Sequence, residues 1–230
     1  MSLYLILDLA AIAIPFAFSF EKRLQFYKLW RSLFTSILVV GLVFVAWDSY
    51  FTRIGVWGFN QEYLSGIFFL NLPIEEYFFF ICVPYASVFT FHVFRTLIPQ
   101  FRIRETLVRN IILFLATALL VTGIIFHSRY YTCSTFLFAS VSLFAAYYFF
   151  RPLLPHFILS YCFILVPFFL MNGMLTGSFI DGEVVWYNDS ENLGIRLLTI
   201  PVEDVFYGMS MILWNVNLTM FLQKKFSELK

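Results

Sequence analysis

Two stretches, LPIEEYFF at residues 72–79 and IPVEDVFY at residues 200–207, carry the same pattern at a spacing of 128 residues. Each has a proline, an aliphatic residue, two acidic residues, a variable position and two aromatic residues. Matches continue upstream, where Trp57, Asn60 and Gly66 correspond to Trp186, Asn188 and Gly194. Because self-similarity at a fixed spacing is the mark of a repeated structural unit, the chain is predicted to contain two copies of one unit.

The composition excludes several classes of protein. Of the 230 residues, 61% are hydrophobic, 22% are aromatic and only 13% are charged, whereas about 25% of the residues of a soluble domain are charged. The formal charge of +1 gives no electrostatic basis for binding nucleic acid. The three cysteines and three histidines are scattered, so neither a disulfide framework nor a metal site is predicted. The chain is therefore predicted to be an integral membrane protein surrounded by the lipid bilayer.

Seven apolar stretches approach the length needed to cross a bilayer, about 20 residues per helix. They are Leu3–Phe20, Arg31–Phe51, Leu72–Phe94, Arg109–Phe126, Thr132–Phe150, Leu153–Leu175 and Leu198–Leu222. The repeat pairs the third span with the seventh, so the two triplets point the same way. We predict an all-α polytopic membrane protein with seven transmembrane helices. It consists of a first three-helix repeat (1–95), a linker helix (96–131) and a second, parallel three-helix repeat (132–230).

The basic residues predict the orientation of these spans. Twelve of the 15 Lys and Arg residues follow spans one, three, five and seven. Because cytoplasmic connections carry an excess of Lys and Arg, the N-terminus is predicted outside and the C-terminus in the cytoplasm. The expected location is the cytoplasmic (inner) cell membrane.

Six acidic residues lie within the spans or at their edges, and all are predicted toward the outer side. They are Asp8, Asp48, Glu75, Glu76, Glu203 and Asp204. A carboxylate within a membrane is costly, so six at similar depth predict a shared polar pocket. Burial and mutual repulsion favour the protonated form of a carboxyl group, which can act as a general acid.

The two acids of each motif occupy the same helical turn, about 100° apart, and cannot both face one point. One of each pair is therefore expected to contact a substrate while the other supports it. Glu75 shares a helix face with Phe79, and Glu203 shares one with Tyr207. An acid beside an aromatic ring suits chemistry that passes through a carbocation, which the ring stabilises. The alternative interpretation is that the acids only cap the two helices.

At the two proline–acid motifs the sequence resembles the integral-membrane lycopene cyclases of bacteria, archaea and fungi, which are built from two homologous three-helix halves. The resemblance covers essentially the whole chain. It implies a proton-initiated, non-redox cyclisation of the linear ends of lycopene to β-rings, giving γ- and β-carotene in carotenoid biosynthesis. Lycopene and other membrane-dissolved carotenoids would be its partners. No cofactor is predicted, and the sequence lacks the G-x-G-x-x-G fingerprint of a dinucleotide site, which distinguishes it from the flavin-bearing lycopene cyclases.

The resemblance also implies roles for particular residues. Glu75, Glu76, Glu203 and Asp204 are the predicted acid and base, with Glu75 and Glu203 favoured for direct contact. The predicted substrate-binding residues are Phe78, Phe79, Phe206, Tyr207, Trp57, Asn60, Trp186, Asn188, Asp8 and Asp48. Trp57 and Trp186 have two interpretations, since each either anchors a loop at the membrane interface or belongs to a loop that caps the pocket.

Other functions fit parts of the pattern. A small proton-coupled transporter of the SWEET type also has three helices, a linker helix and three parallel helices, although its polar residues would lie nearer the midplane. A retinal-binding protein needs a lysine in its last span, and Leu198–Leu222 contains none. A scaffold without catalysis would tolerate replacement of all four motif acids by amides.

Overall fold

The computed structural model describes residues 2–100 and 103–228. Seven helices dominate these described residues: α1 (Leu3–Phe18), α2 (Trp30–Arg53), α3 (Ile74–Leu97), α4 (Glu105–Ile125), α5 (Tyr130–Phe149), α6 (Leu154–Leu175) and α7 (Val202–Glu228). Their bounds lie within a few residues of the predicted spans, and the predicted all-α class is confirmed. Arg102 and Lys230, two of the basic residues behind the predicted orientation, lie outside the described residues.

Most of these helices are suited to cross a membrane. By length and composition, all except α1 are long and apolar enough to do so. The apolar α1 has 16 residues and spans about 24 Å at 1.5 Å per residue. Large apolar side chains cover the outer surface, including Phe114 and Leu42, as expected of helices in contact with lipid. The chain is a multi-pass membrane protein, while its orientation and the identity of the membrane stay predictions.

The two helices that begin with the repeated motif, α3 and α7, lie at the centre. α3 packs on α1 and α2, and α7 packs most extensively on α5 in its own half. Each also packs on the second helix of the other half, with α2 against α7 and α6 against α3. This crossed packing relates the halves by an approximate twofold axis and brings the two motifs side by side. α4 packs mainly on α5, and the exact boundaries of the three predicted segments stay a prediction.

Short strands cover the end of the bundle at which α3 and α7 begin. β1 (Trp57–Phe59) pairs with β4 (Val185–Tyr187) in an antiparallel ladder that joins the loops of the two halves. Gly58 lies opposite Trp186, and a Cβ at Gly58 would lie 2.4 Å from the Trp186 ring. Only glycine therefore lets the ring pack against this strand. The β1–β4 ladder fixes both loops over the motif helices.

Two matching hairpins lead into the motif helices. β2 (Phe68–Phe69) pairs with β3 (Leu72–Pro73), and β5 (Arg196–Leu197) pairs with β6 (Ile200–Pro201). Leu70 and Leu198, at the same point in the two turns, both adopt positive φ, which is uncommon for a branched residue. The repeat thus extends to the backbone conformation of the hairpin turns.

Candidate active site

The first acid of each motif ties its helix to two neighbouring segments. Oε1 of Glu75 accepts hydrogen bonds from the Ser2 hydroxyl at 2.6 Å and from the Ser65 N–H at 2.7 Å. In the same way, Oε1 of Glu203 accepts from the Thr132 hydroxyl at 2.6 Å and from the Leu193 N–H at 2.8 Å. The first acids therefore connect each motif helix to the start of the first helix of its half and to the preceding loop.

The second acid of each motif faces a cavity of about 60 Å³ between the two halves, which has room for a few water molecules. Glu76 and Asp204 both line this cavity, together with Asp48. Its other walls are mainly aromatic and apolar, formed by Tyr4, Trp57, Phe59, Phe79, Tyr131, Phe168, Tyr187, Tyr207 and several smaller residues. Carboxyl groups from both halves thus meet in a single buried site.

In the first half, two carboxyl groups lie side by side. Oε2 of Glu76 accepts a 2.5 Å hydrogen bond from the Tyr4 hydroxyl. Asp48, which lines the same cavity as Glu76, accepts from the indole N–H of Trp57. Oδ2 of Asp48 has no hydrogen-bond donor among the described residues. This half therefore offers two adjacent carboxyl groups with few donors around them.

In the second half, one carboxyl group is surrounded by donors. Asp204 accepts hydrogen bonds from the Tyr131 hydroxyl, from the Tyr187 hydroxyl at 2.9 Å and, weakly, from the Asn172 amide at 3.5 Å. Tyr187 lies on β4, outside the spans, where burial and then the nearby Asp204 raise its pKa well above the usual value. It therefore keeps its proton and remains a donor.

The two groups of residues occupy equivalent places in the repeat. Tyr4 and Tyr131 are each the second residue of the first helix of a half, α1 or α5. Asp48 and Asn172 are each the nineteenth residue of the second helix, α2 or α6. The halves therefore share one framework, but a carboxyl group in the first half corresponds to an amide in the second.

Asp8 and Thr135 extend the same correspondence. Each is the sixth residue of its helix, one turn after the tyrosine, and each is fully buried or nearly so. Among the described residues, neither the Asp8 oxygens nor the Thr135 hydroxyl has a hydrogen-bond partner. Here again the first half carries a carboxyl group where the second half carries a neutral hydroxyl group.

Several predicted site residues lie away from the cavity. Glu75 and Glu203, which were favoured for direct contact, are absent from its walls because their position on the helix turns them toward the loops. Six of the predicted substrate-binding residues, namely Asp8, Asn60, Phe78, Trp186, Asn188 and Phe206, also lie outside its walls, and their predicted roles stay predictions. The other four, Asp48, Trp57, Phe79 and Tyr207, do line it.

Each displaced residue has another place in the structure. Asn60 and Asn188 cap loop turns, where their side-chain oxygens accept from the N–H groups of Glu62 and Ser190. The remaining side chains lie elsewhere. Trp186 packs against Gly58, Phe206 packs against Phe136 in the core, Phe78 lies at the surface, and Asp8 is buried one turn of α1 after Tyr4.

Sequence reasoning missed the donors of this site. Tyr4, Tyr131, Tyr187 and Asn172 carry the hydrogen bonds to the second acids. The pair Tyr4 and Tyr131 could have been found, because it repeats at a spacing close to that of the motifs. Tyr187 could not, since its position depends on the β1–β4 ladder. Over residues 2–100 and 103–228, no group of His, Cys, Asp and Glu is arranged to hold a metal ion.

Comparison with known proteins agrees with this architecture. A family model described as lycopene cyclase matches residues 1–94 and 128–222, one region in each half, and so confirms the internal repeat. A bifunctional lycopene cyclase/phytoene synthase of Aspergillus niger is 32% identical over 75 residues, which make up 32% of this chain and 13% of that protein. The matched stretch is thus a small part of that relative. No solved structure matches the chain. Because the family model spans most of both halves, the chain belongs to the lycopene cyclase family.

Proposed function

We propose that the protein is a lycopene β-cyclase, an isomerase that closes the linear ends of lycopene into β-rings without net oxidation or reduction. The observation that carries the proposal is the single cavity in which carboxyl groups from both halves meet among aromatic side chains. A membrane-dissolved hydrocarbon suits a site enclosed by transmembrane helices. Membership of the lycopene cyclase family supports the substrate class.

The proposed reaction needs one proton donor and one proton acceptor. A carboxylic acid protonates carbon 2 of the terminal isoprene unit, using the electrons of the carbon 1–carbon 2 double bond and leaving a cation at carbon 1. The double bond between carbons 5 and 6 attacks carbon 1, which closes the ring and moves the charge to carbon 5. A base then removes a proton from carbon 6, and the carbon 5–carbon 6 double bond re-forms. One proton is added and one is lost, so the product is an isomer of the substrate.

We assign the proton donor to the first half. Glu76 and Asp48 lie side by side on the cavity, and neither has a Lys or Arg partner within 4.0 Å among the described residues. Two adjacent carboxyl groups are best accommodated when they share a proton, because two negative charges at this distance repel each other. A pair that holds a proton in an aromatic cavity is suited to protonate an alkene.

We assign the base to Asp204 in the second half. Hydrogen bonds donated to a carboxylate favour its charged form, and Asp204 accepts from two tyrosines and one amide. The rings of Tyr207, Trp57 and Phe79 line the same cavity as the carboxyl groups and would stabilise the intermediate cation by cation–π attraction. Acid and base thus share one cavity.

The proposal includes the setting of the reaction. The acids lie at the end of the bundle that the distribution of basic residues assigns to the outer side, in a protein of the inner cell membrane with its C-terminus in the cytoplasm. Lycopene and related carotenoids dissolved in that membrane would be its partners. The proposed chemistry uses only the side chains of this chain and calls for no cofactor.

Expression in cells that accumulate lycopene tests the proposal. The wild type is expected to produce β-carotene, whereas Glu76→Gln should leave lycopene unchanged. Glu62→Gln, which alters an exposed acid in a loop of the same half, is the matched control and should cyclise normally. Unchanged lycopene with a wild-type protein folded in the membrane would overturn the proposal, and ε-ring products would overturn the β assignment.

Isotope labelling tests the proton transfer itself. In heavy water, each new ring should carry one deuterium at carbon 2, because a carboxyl proton exchanges with solvent before it is transferred. Mass spectrometry of the carotene measures this gain, and a product without deuterium would contradict protonation by an exchangeable group.

A further inference from the structure

A second, larger cavity lies beside the acid cavity and has no role in the proton chemistry. It is a groove of about 370 Å³ between α1, α3, α6 and α7, along the seam where the first half meets the second. Its walls are almost entirely apolar and include the small residues Ala10, Ala11, Ala86 and Gly208. A groove of this kind accepts hydrocarbon rather than water or polar ligands.

The groove adjoins the acid cavity directly. Phe79, Phe168, Asn172 and Gly208 line both spaces, so these residues form the partition between them. Asn172 is at the same time the amide that hydrogen-bonds to Asp204. A chain lying in the groove would therefore point one end at the carboxyl groups.

The groove is long and open toward lipid. On α3 its lining runs from Phe79 to Thr90, which is about 16 Å at 1.5 Å per residue and roughly half of a bilayer core. Ile14 on α1 and Leu170 on α6 stand at its rim with 68% and 54% of their surface exposed. Because the two helices touch only sparsely, the groove opens between them onto the hydrocarbon of the membrane.

The twofold relation of the halves predicts a second groove between α5, α7, α2 and α3, but large side chains fill it. Phe80 is the seventh residue of α3, as Gly208 is of α7, and Trp214 corresponds in the same way to Ala86. Phe138 and Leu137 on α5 correspond to Ala11 and Ala10 on α1. Phe44, Phe80 and Met211 form a buried cluster there with Phe138 and Trp214 packed against it.

The two seams therefore differ in side-chain size at these four positions, although Leu170 of the open groove corresponds to the smaller Ala46. Four small residues line the open groove. Large residues stand at all four equivalent positions, and three of them, Phe80, Phe138 and Trp214, lie in or against the buried cluster, while Leu137 packs against Gly123 of α4. Phe168 and Phe44 are themselves equivalent, as the fifteenth residues of α6 and α2. The open groove thus reflects specific small side chains, rather than a general looseness of packing between the halves.

We propose that this groove binds the polyene chain of a linear carotenoid, which enters sideways from the bilayer between α1 and α6 and places one end in the acid cavity. This inference rests on the proposed function for the identity of the ligand. Phe79 and Phe168 must turn aside to admit the end of the chain, since the acid cavity alone is too small for it. Gly208 keeps the passage wide, because glycine has no side chain to occupy the space beside Phe168.

Gly208→Phe tests the proposal, since it gives the open groove the residue that fills its counterpart. The equivalent position already accepts Phe80 in a well-packed cluster, so the variant is expected to fold. Ala86→Trp, which copies Trp214, is a second variant at the middle of the groove. Gly41→Phe on α2 is the matched control, because a side chain at Gly41 meets nothing within 4 Å and lies in a separate apolar groove of about 370 Å³ between α2 and α3, which shares no lining residue with the acid cavity or the proposed groove.

Carotenoid binding and cyclisation are measured separately. Each variant is purified in mild detergent from lycopene-accumulating cells, in wild-type and Glu76→Gln backgrounds, and the carotenoid retained per folded protein is extracted and quantified. Gly208→Phe and Ala86→Trp should lower retention at least about tenfold, which corresponds to ~1.4 kcal/mol of binding free energy. Gly41→Phe should retain carotenoid and cyclise normally.

The outcomes distinguish the groove from the proposed reaction. Normal retention and cyclisation in folded Gly208→Phe and Ala86→Trp would overturn the groove while leaving the cyclase proposal intact. If the wild type retains carotenoid without cyclising it, and both groove variants lose this retention, the result would support the groove and overturn the proposed function.

Discussion

The structure predicts opposite outcomes for the two adjacent acids of the second motif. Asp204 lines the cavity, whereas Glu203 bonds to Thr132 and Leu193 and is absent from its walls. We therefore expect Asp204→Asn to lower the rate of cyclisation strongly in a protein of nearly normal stability. Glu203→Gln should remain active, and Glu203→Ala should be unstable.

The expected sizes follow from the contacts. General acid–base catalysis contributes about 10²–10⁴-fold to a rate, so Asp204→Asn should lower cyclisation by about that factor. Its amide oxygen can still accept from Tyr131, and the amide nitrogen that replaces Oδ2 can donate to the Tyr187 hydroxyl oxygen, which preserves the packing. Both hydrogen bonds of Glu203 go to the same oxygen, Oε1. Glutamine can therefore accept both, whereas alanine leaves two donors unsatisfied at about 1–3 kcal/mol each.

Thermal stability in detergent and cyclisation in lycopene-containing vesicles measure the two effects. The two unsatisfied donors in Glu203→Ala lower the free energy of unfolding by at least about 2 kcal/mol. For a chain of this size, a loss of about 2 kcal/mol corresponds to a fall in Tm of about 4–8 °C, which is the minimum expected for this variant. Asp204→Asn should leave Tm within about 2 °C of the wild type. An inactive Glu203→Gln of normal Tm, together with an active Asp204→Asn, would refute the division between supporting and reacting acids.

Three further outcomes are expected. Asp48→Asn keeps an oxygen for the Trp57 N–H but removes the carboxyl beside Glu76, so the cyclisation rate in vesicles should fall about 10²-fold or more. Tyr187→Phe removes a donor to Asp204 worth about 1.5–3 kcal/mol, and the rate at saturating lycopene should fall roughly 10–150-fold with little change in KM. One open groove serves one acid cavity, so we expect the two ends of lycopene to be cyclised in separate binding events. A time course analysed by chromatography should then show monocyclic carotene before the bicyclic product. Bicyclic product without free monocyclic carotene would contradict this.

Much of the fold follows directly from the sequence. Apolar stretches of spanning length predict the helices, and the duplicated P-x-E-[ED] pattern predicts that α3 and α7 are equivalent. The crossed packing of α2 on α7 and of α6 on α3 is not contained in that pattern. It depends on the shapes of side chains along whole helix faces, which a motif of eight residues does not specify.

The site was predictable as a location but not in its geometry. The repeated acids identify the correct end of the bundle, yet consecutive helical residues face directions about 100° apart. Which acid of a pair meets the cavity depends on the rotation of α3 and α7, which is set by their packing against both halves. The position of Tyr187 likewise requires the β1–β4 ladder, a contact between segments more than 120 residues apart.

The differences between the equivalent halves account for how a symmetric framework can serve an asymmetric reaction. Cyclisation needs an acid and a base, and the framework presents Asp48 beside Glu76 in one half but Asn172 beside Asp204 in the other. The proposed reaction also takes one end of a long chain at a time, and Gly208 opens a groove on one seam where Phe80 fills the other. Both differences lie on the acid cavity or at its edge. If the halves were identical, two equal acids would face two equal grooves, and nothing in the structure would distinguish donor from acceptor. The departures from the repeat are therefore as informative about the reaction as the repeat itself.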